Sequence, residues 1–200
     1  MKGNRVIAVG ILLGIAVLFY GCAGSNQYMR LVSETKELPA PSNDEAMVVF
    51  MRPSGLGFAV SSSVFDINDT NEDFVGIVSA KKKVVYKTNP GEHMFMVIGE
   101  TADFMRANLQ SGKTYYALVT PRMGNWKARF SLKPVSKGEL NSGEYKDWLN
   151  SCELTENTPE AFQWAKDNAL SIRSKRAGSW IIWNAKPESD KPTLNPDDCL

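Results

Sequence analysis

What most constrains the fold of this chain is a cadence of short apolar or alternating runs, set apart by turn signals, from Ala46 to Val135. Residues 46–53, AMVVFMRP, form an apolar run closed by proline, which suits a strand buried on both faces or at a core edge. A Gly-rich turn at Pro53-Ser54-Gly55-Leu56-Gly57 follows. Further strands are expected over 60–67, 74–79, 83–87, 93–99, 102–109, 114–120 and 127–135. Asn68-Asp69-Thr70-Asn71, Asn89-Pro90-Gly91, Ser111-Gly112 and Met123-Gly124-Asn125 separate them with residues that favour tight turns. Many short strands at such spacing predict an antiparallel sandwich or barrel.

Past Val135 the texture changes. Residues 141–149 predict a short helix and 158–176 a long one. Thr158 is the expected N-cap, Pro159 takes the first helical position, and Glu160 complements the positive end of the helix dipole. Phe162, Ala165, Ala169 and Ile172 recur at helical spacing as one apolar stripe. Arg173, Lys175 and Arg176 fill the last turn, with Gly178 placed to end it. Residues 179–183, SWIIW, form a compact apolar run that adds a strand or braces the helix. Trp180 and Trp183 form the expected partner-binding ridge, since aromatic residues are enriched at protein interfaces. A Pro-rich tail runs from Lys186 to Leu200.

The N-terminus decides where such a domain works. Lys2 and Arg5 introduce an uncharged apolar run of about 14 residues, where a membrane-spanning helix needs roughly 20. That pattern is a secretory signal. Leu18-Phe19-Tyr20-Gly21-Cys22 resembles the lipobox of bacterial lipoproteins, in which a small residue precedes a cysteine that is lipidated and becomes the first of the mature chain. Phe19 stands where leucine is usual. The resemblance makes 1–21 a signal peptide and Cys22 the lipidation site, and several acyl chains on one cysteine hold a protein stably to a bilayer. Ala23, with no aspartate there, resembles the pattern that sorts Gram-negative lipoproteins to the outer membrane, implying a lipid-anchored body that faces the periplasm. Residues 22–44 are polar and Pro-containing and read as a tether, with Leu31, Val32 and Leu38 able to dock on the domain.

Charge narrows the partners. Lysine plus arginine number 23 and aspartate plus glutamate 22; loss of residues 1–21 removes Lys2 and Arg5 and leaves 21 against 22. Such a balance supplies no strong basic field for nucleic acid. The expected partners are the membrane, through the anchor, and an envelope protein. Lys81-Lys82-Lys83, the densest positive run, reads as a solvated hairpin tip. With Cys22 acylated, Cys152 and Cys199 remain, and an exporting compartment permits a disulfide between them. Closing that loop would stabilise the fold by roughly 4 kcal/mol in chain-entropy terms, and would hold the tail. One buried thiol and one tail thiol is the plainer alternative.

Val49-Phe50-Met51-Arg52-Pro53-Ser54 opens a further pattern. Ala59-Val60-Ser61 leads into Val64-Phe65-Asp66-Ile67, then Asn89-Pro90-Gly91-Glu92-His93 precedes a strand, and Leu109-Gln110-Ser111-Gly112-Lys113-Thr114-Tyr115-Tyr116 comes near the end. In that order these motifs resemble the DUF2846 family, bacterial domains often found in lipoproteins and without an established activity. Asn68-Asp69-Thr70-Asn71 replaces a tighter Asp-Gly type of turn. The resemblance covers residues 47 to about 120 and implies a small β-sandwich on the periplasmic side, with no catalytic residues to carry over. The expected fold is mainly β, an antiparallel β-sandwich over 45–136 with a C-terminal α-helical appendage and tail over 137–200.

Constellations that carry chemistry are sparse. His93, the one histidine, starts a strand after a Pro-Gly turn. As the general base of a hydrolase it would work with a carboxylate such as Glu92 or Asp103, and with Cys152 it would form a dyad. A metal site gathers three or four ligands, and no histidine or cysteine stands near it in sequence, so a ring nitrogen bonding the turn backbone is its expected role. Asp66, Asp69, Glu72 and Asp73 crowd one loop without the spacing of an EF-hand. Arg52, with Gly55 and Gly57, lacks the strand, phosphate loop and helix of a P-loop. The expectation is a non-catalytic binding or structural module with no catalytic residues, no metal and no cofactor. A hydrolase centred on His93, and a carrier of a small ligand or ion inside the sandwich, are the alternatives.

Overall fold

The computed structural model describes residues 27–32, 38–123 and 128–200; the signal segment, Cys22, Ala23 and Trp126 lie outside the described residues. The described strands are β1 (Met29–Leu31), β2 (Ala46–Arg52), β3 (Ser62–Ile67), β4 (Glu72–Val78), β5 (Lys82–Thr88), β6 (Gly91–Ile98), β7 (Ala102–Leu109), β8 (Thr114–Arg122), β9 (Arg129–Pro134), β10 (Glu153–Asn157) and β11 (Thr193–Leu194). Helices α1 (Lys137–Leu140), α2 (Gly143–Ser151), α3 (Pro159–Asp167) and α4 (Ala169–Asn184) interrupt them late in the chain. One sheet has the order β1-β10-β5-β2-β8-β9 and the other β11-β7-β6-β3-β4. The chain is mainly β, with two mixed sheets and a few helices.

The expected purely antiparallel pairing is corrected at three places. β2 and β8 run parallel, as do β10 with β5 and β11 with β7. Each parallel pair joins strands far apart in sequence, so the chain has length enough for the crossover that parallel pairing requires. Every residue of β2 and β3 is buried, as both-faced covering demands. Inward side chains of both sheets, among them Val48, Phe50, Val64, Phe95, Val97, Tyr115 and Val119, meet in one cluster. The reverse face of β2 and β8 packs Met47, Val49, Tyr116 and Leu118 on Leu140 and Tyr145 of α1 and α2. The reverse face of the second sheet packs Phe65, Met96 and Phe104 on Ile172 and Trp183 of α4.

Residues 137–200 are therefore no appendage. β10 joins the first sheet, β11 the second, and the helices cover the outer face of each. Local chemistry sets the first two helices: Ser136 and Glu139 form a capping box for α1, and Ser142 caps α2 through Tyr145 N–H. The single expected helix over 158–176 is two. It breaks at Asn168, whose side chain donates to Trp164 O at 2.8 Å, and α4 then continues through Gly178 to Asn184. Gly178 faces open space, so nothing there compels the helix to stop.

That continuation overturns the Trp180 and Trp183 ridge. Residues three apart point to opposite sides of a strand but share one face of a helix. Trp183 is buried and Trp180 half-buried, both against Phe104, with ring centroids 5.7 and 4.9 Å away. They brace α4 on the sheet and offer no ridge.

The Cys152–Cys199 disulfide is overturned as well. Both thiols are free. Cys152 lies in the cluster under α2, close to the Arg52 end of β2, whereas Cys199 bridges Tyr115, which neighbours Val48 on the opposite face of the sheet. Cα atoms more than about 7 Å apart cannot be bridged. Backbone pairing holds the tail instead: Leu200 and Thr114 exchange two hydrogen bonds, and Leu194 is fully buried. The tether, too, is shorter than expected, because β1 already pairs with β10 and Leu38 packs on the α2 side.

Candidate functional site

His93 is placed by the β5–β6 turn, and its surroundings decide what its ring can do. Nδ1 lies 2.8 Å from Asp66 Oδ2 and Nε2 lies 2.9 Å from the Asn89 carbonyl oxygen. Both neighbours can accept, so when both ring nitrogens carry protons the ring is an imidazolium paired with Asp66. Burial works against that charge, but the Asp66 hydrogen bond, the Asp66 charge and the Asn89 carbonyl outweigh it and raise the pKa above its ordinary 6.5. Both ring nitrogens are thus taken up by neighbours within the protein.

The raised value has a consequence for stability. A group whose folded pKa exceeds its unfolded value stabilises fully below the unfolded value and loses that contribution as pH rises through the folded one. Urea titrations at a series of pH values are expected to show stability falling as pH climbs above 6.5. His93→Gln should abolish that slope. An unchanged slope in the variant would place the titrating group elsewhere.

The other sequence candidates scatter. Of the acidic residues, Asp66 serves His93, while Glu72 binds Arg176 at 2.8 Å and Arg173 at 3.3 Å and so ties the β3–β4 hairpin to α4. Asn68 Oδ1 accepts from the N–H groups of Thr70 and Asn71 and closes the turn by itself. Among the described residues no group of three or more His, Cys, Asp or Glu side chains could hold a metal ion. Cys152, on the outer face of the first sheet, is remote from His93 on the second. Asp103 binds Ser131 Oγ at 2.6 Å and Arg122 at 3.0 Å, not His93. The lysine run is only partly solvated: Lys82 pairs with Glu153, and buried Lys83 donates to Leu149 O at 2.8 Å, capping the last turn of α2.

The loop after β2 is more than the bend that its glycines suggest. Arg52 is fully buried, and its guanidinium turns inward to donate to Val60 O at 2.6 Å, Leu56 O at 2.6 Å and Gly57 O at 2.8 Å. It also lies over the Phe130 ring, 4.9 Å from the centroid. Gly57, with φ at 64°, supplies the left-handed residue the bend needs, and Val60 N–H closes on Gly57 O. So the Arg52, Gly55 and Gly57 pattern is a clamp with no anion in its logic. Held this way, the loop presents Leu56 and Phe58 to solvent, 62% and 81% exposed.

Beside the loop is a cleft of about 500 Å³, lined by Tyr28, Val60, Ser62, Trp164, Asn168 and Lys175 among others. Tyr28 and Trp164 stand 6.1 Å apart at a tilt, and Lys175 donates to Gly99 O at 2.6 Å. Gly99 has no room for a side chain, since a Cβ would come within 2.7 Å of Ala128 O. The cleft mixes aromatic and aliphatic walls with hydroxyl, amide and charged groups, a composition that suits binding. Compared with known proteins, the chain matches no family model and no curated protein.

Proposed function

We propose that this protein is a lipoprotein, held by acyl chains on Cys22 in the outer membrane and facing the periplasm, that works as a non-catalytic binding or structural module. The fold is read as a β-sandwich that is DUF2846-like over its central part, with the C-terminal residues built into both sheets. The observation that carries the non-catalytic reading is the double engagement of His93, which removes the base a hydrolase would need. The lipobox-like end of the signal supports the anchor, and the shared core of the two sheets supports the sandwich. The cleft beside Val60 favours a second reading, binding of a small ligand there and not in the filled interior.

The test is the intact mass of the membrane-extracted protein with and without reductant. The expected mass is that of residues 22–200 plus a diacylglycerol and acyl groups, unchanged by reductant because Cys152 and Cys199 are free. An unacylated chain that begins elsewhere would remove the anchor.

A further inference from the structure

The exposed apolar side chains are not spread evenly. β2 and β8 run parallel with Met51 beside Leu118, so the loop after Arg52 and the end of β8 at Arg122 and Met123 leave from one end of the first sheet. Leu56, Phe58 and Val60 project there, together with Met123, which is 88% exposed. Ile182 of α4 lines the same surface hollow as Met123 and is itself exposed. Lys81 stands exposed opposite the end of β2, while Arg122 and Lys186 beside the patch share Asp103 as their partner. At the other end of the sheets stand Asp44, Asp69 and Glu92, all exposed acids.

The chain outside the described residues says what faces this end. Gln27 O accepts from Thr158 Oγ1 and Tyr28 O from Thr158 N–H, so the first described residues are tied to the body. Tyr28 lines the same cleft as Val60. From Cys22 to Gln27 there are only five residue steps, which extend no further than about 18 Å. On the lipid-anchor reading, the bilayer therefore lies within that reach of the cleft and of the loop beside it.

We propose that the clamped loop is a membrane-docking element: Leu56 and Phe58 enter the headgroup and acyl boundary of the phospholipid bilayer in which Cys22 is anchored, with Lys81 facing its phosphates. Apolar side chains leave water on insertion, and basic groups meet anionic headgroups. The Arg52 clamp orders the loop before contact, so little conformational freedom is lost on docking. This inference rests on acylation of Cys22.

The experiment uses the mature acylated protein in vesicles of phosphatidylethanolamine and phosphatidylglycerol, with a nitroxide attached at Phe58→Cys or at Gln110→Cys in a Cys199→Ser background. Both labelled positions are exposed, and Gln110 lies at the opposite end. The expected result is that both proteins co-sediment with vesicles, while only the label at 58 shifts from collision with a water-soluble nickel chelate to collision with oxygen. Co-sedimentation with the label at 58 still in water overturns the docking and leaves the anchor. Loss of co-sedimentation in both proteins overturns the anchor and the docking together. Dipolar broadening at 58 that grows with protein density would make the occupant a second copy of the chain and would overturn the bilayer assignment.

Discussion

Arg52→Ala is expected to lower the stability of the protein by about 3 kcal/mol, read as a lower urea midpoint with an unchanged slope. Two opposed effects meet at this residue. Removing a buried guanidinium relieves the cost of keeping a charge out of water, a cost visible in the lowering of its pKa by burial. Against that, three carbonyl oxygens, those of Leu56, Gly57 and Val60, lose their donors at once, and the ring of Phe130 loses the cation above it. Each carbonyl left dry costs about 1–3 kcal/mol, which outweighs the relief unless the loop swings out to find water. Arg52→Met restores much of the volume without a donor and should recover only part of the loss. Arg52→Lys should fare little better, since one ammonium cannot reproduce a planar fork that reaches three acceptors. A methionine variant as stable as the parent would show that the clamp is packing alone.

The clamp was written in the sequence as Arg-Pro-Ser-Gly-Leu-Gly, yet its direction was not. Arginine beside glycines suggests an anion cradle but reads more simply as a bend, and only the third dimension shows the guanidinium turning back to its own loop. The strands of the central part were legible because their limits are local. Turns such as Ser111-Gly112 and Asn89-Pro90-Gly91 are set by residues a few positions apart, and β7 begins and ends where the alternation does. The parallel pairs were not legible. β10 reads Glu153-Leu154-Thr155-Glu156-Asn157, with almost no strand pattern, and exists because Lys82, Lys83 and Val84 offer it an edge. Tertiary context overrides propensity in such segments.

The cysteines illustrate the same limit. Spacing and compartment made a bridge plausible, but neither says which face of a sheet a thiol occupies. Tyr115 and Tyr116 are adjacent in sequence and stand in different clusters, and Cys199 follows the first while Cys152 follows the second. A one-residue difference in register is enough to part them. The site suffered likewise: His93 was found as the lone histidine, but Asp66, which engages one ring nitrogen, sits 27 residues earlier, where it reads only as one of several loop acids.

Trp183→Ala is expected to cost about 3–5 kcal/mol, the usual penalty for deleting a large side chain from a closed core. The ring is only 2% exposed. It meets Phe104 at 5.7 Å and carries Lys186 Nζ 5.1 Å and Lys191 Nζ 5.9 Å from its centroid, so its loss strips α4, the segment after it and the sheet of a shared contact. Trp180→Ala removes a half-buried ring from the same face and should cost less. Trp183→Phe keeps an aromatic ring against Phe104 and should recover most of the loss. Urea unfolding of the three variants checks the order. A partner-binding ridge would give the reverse pattern, with stability untouched by either substitution and binding lost. Because Ile172 and Trp183 are the buried side chains of α4, the alanine variant should also loosen that helix ahead of the sheets, seen as faster amide exchange in α4 than in β6 or β7. Uniform exchange across α4 and both strands would mean that the helix and the sheet open as one unit.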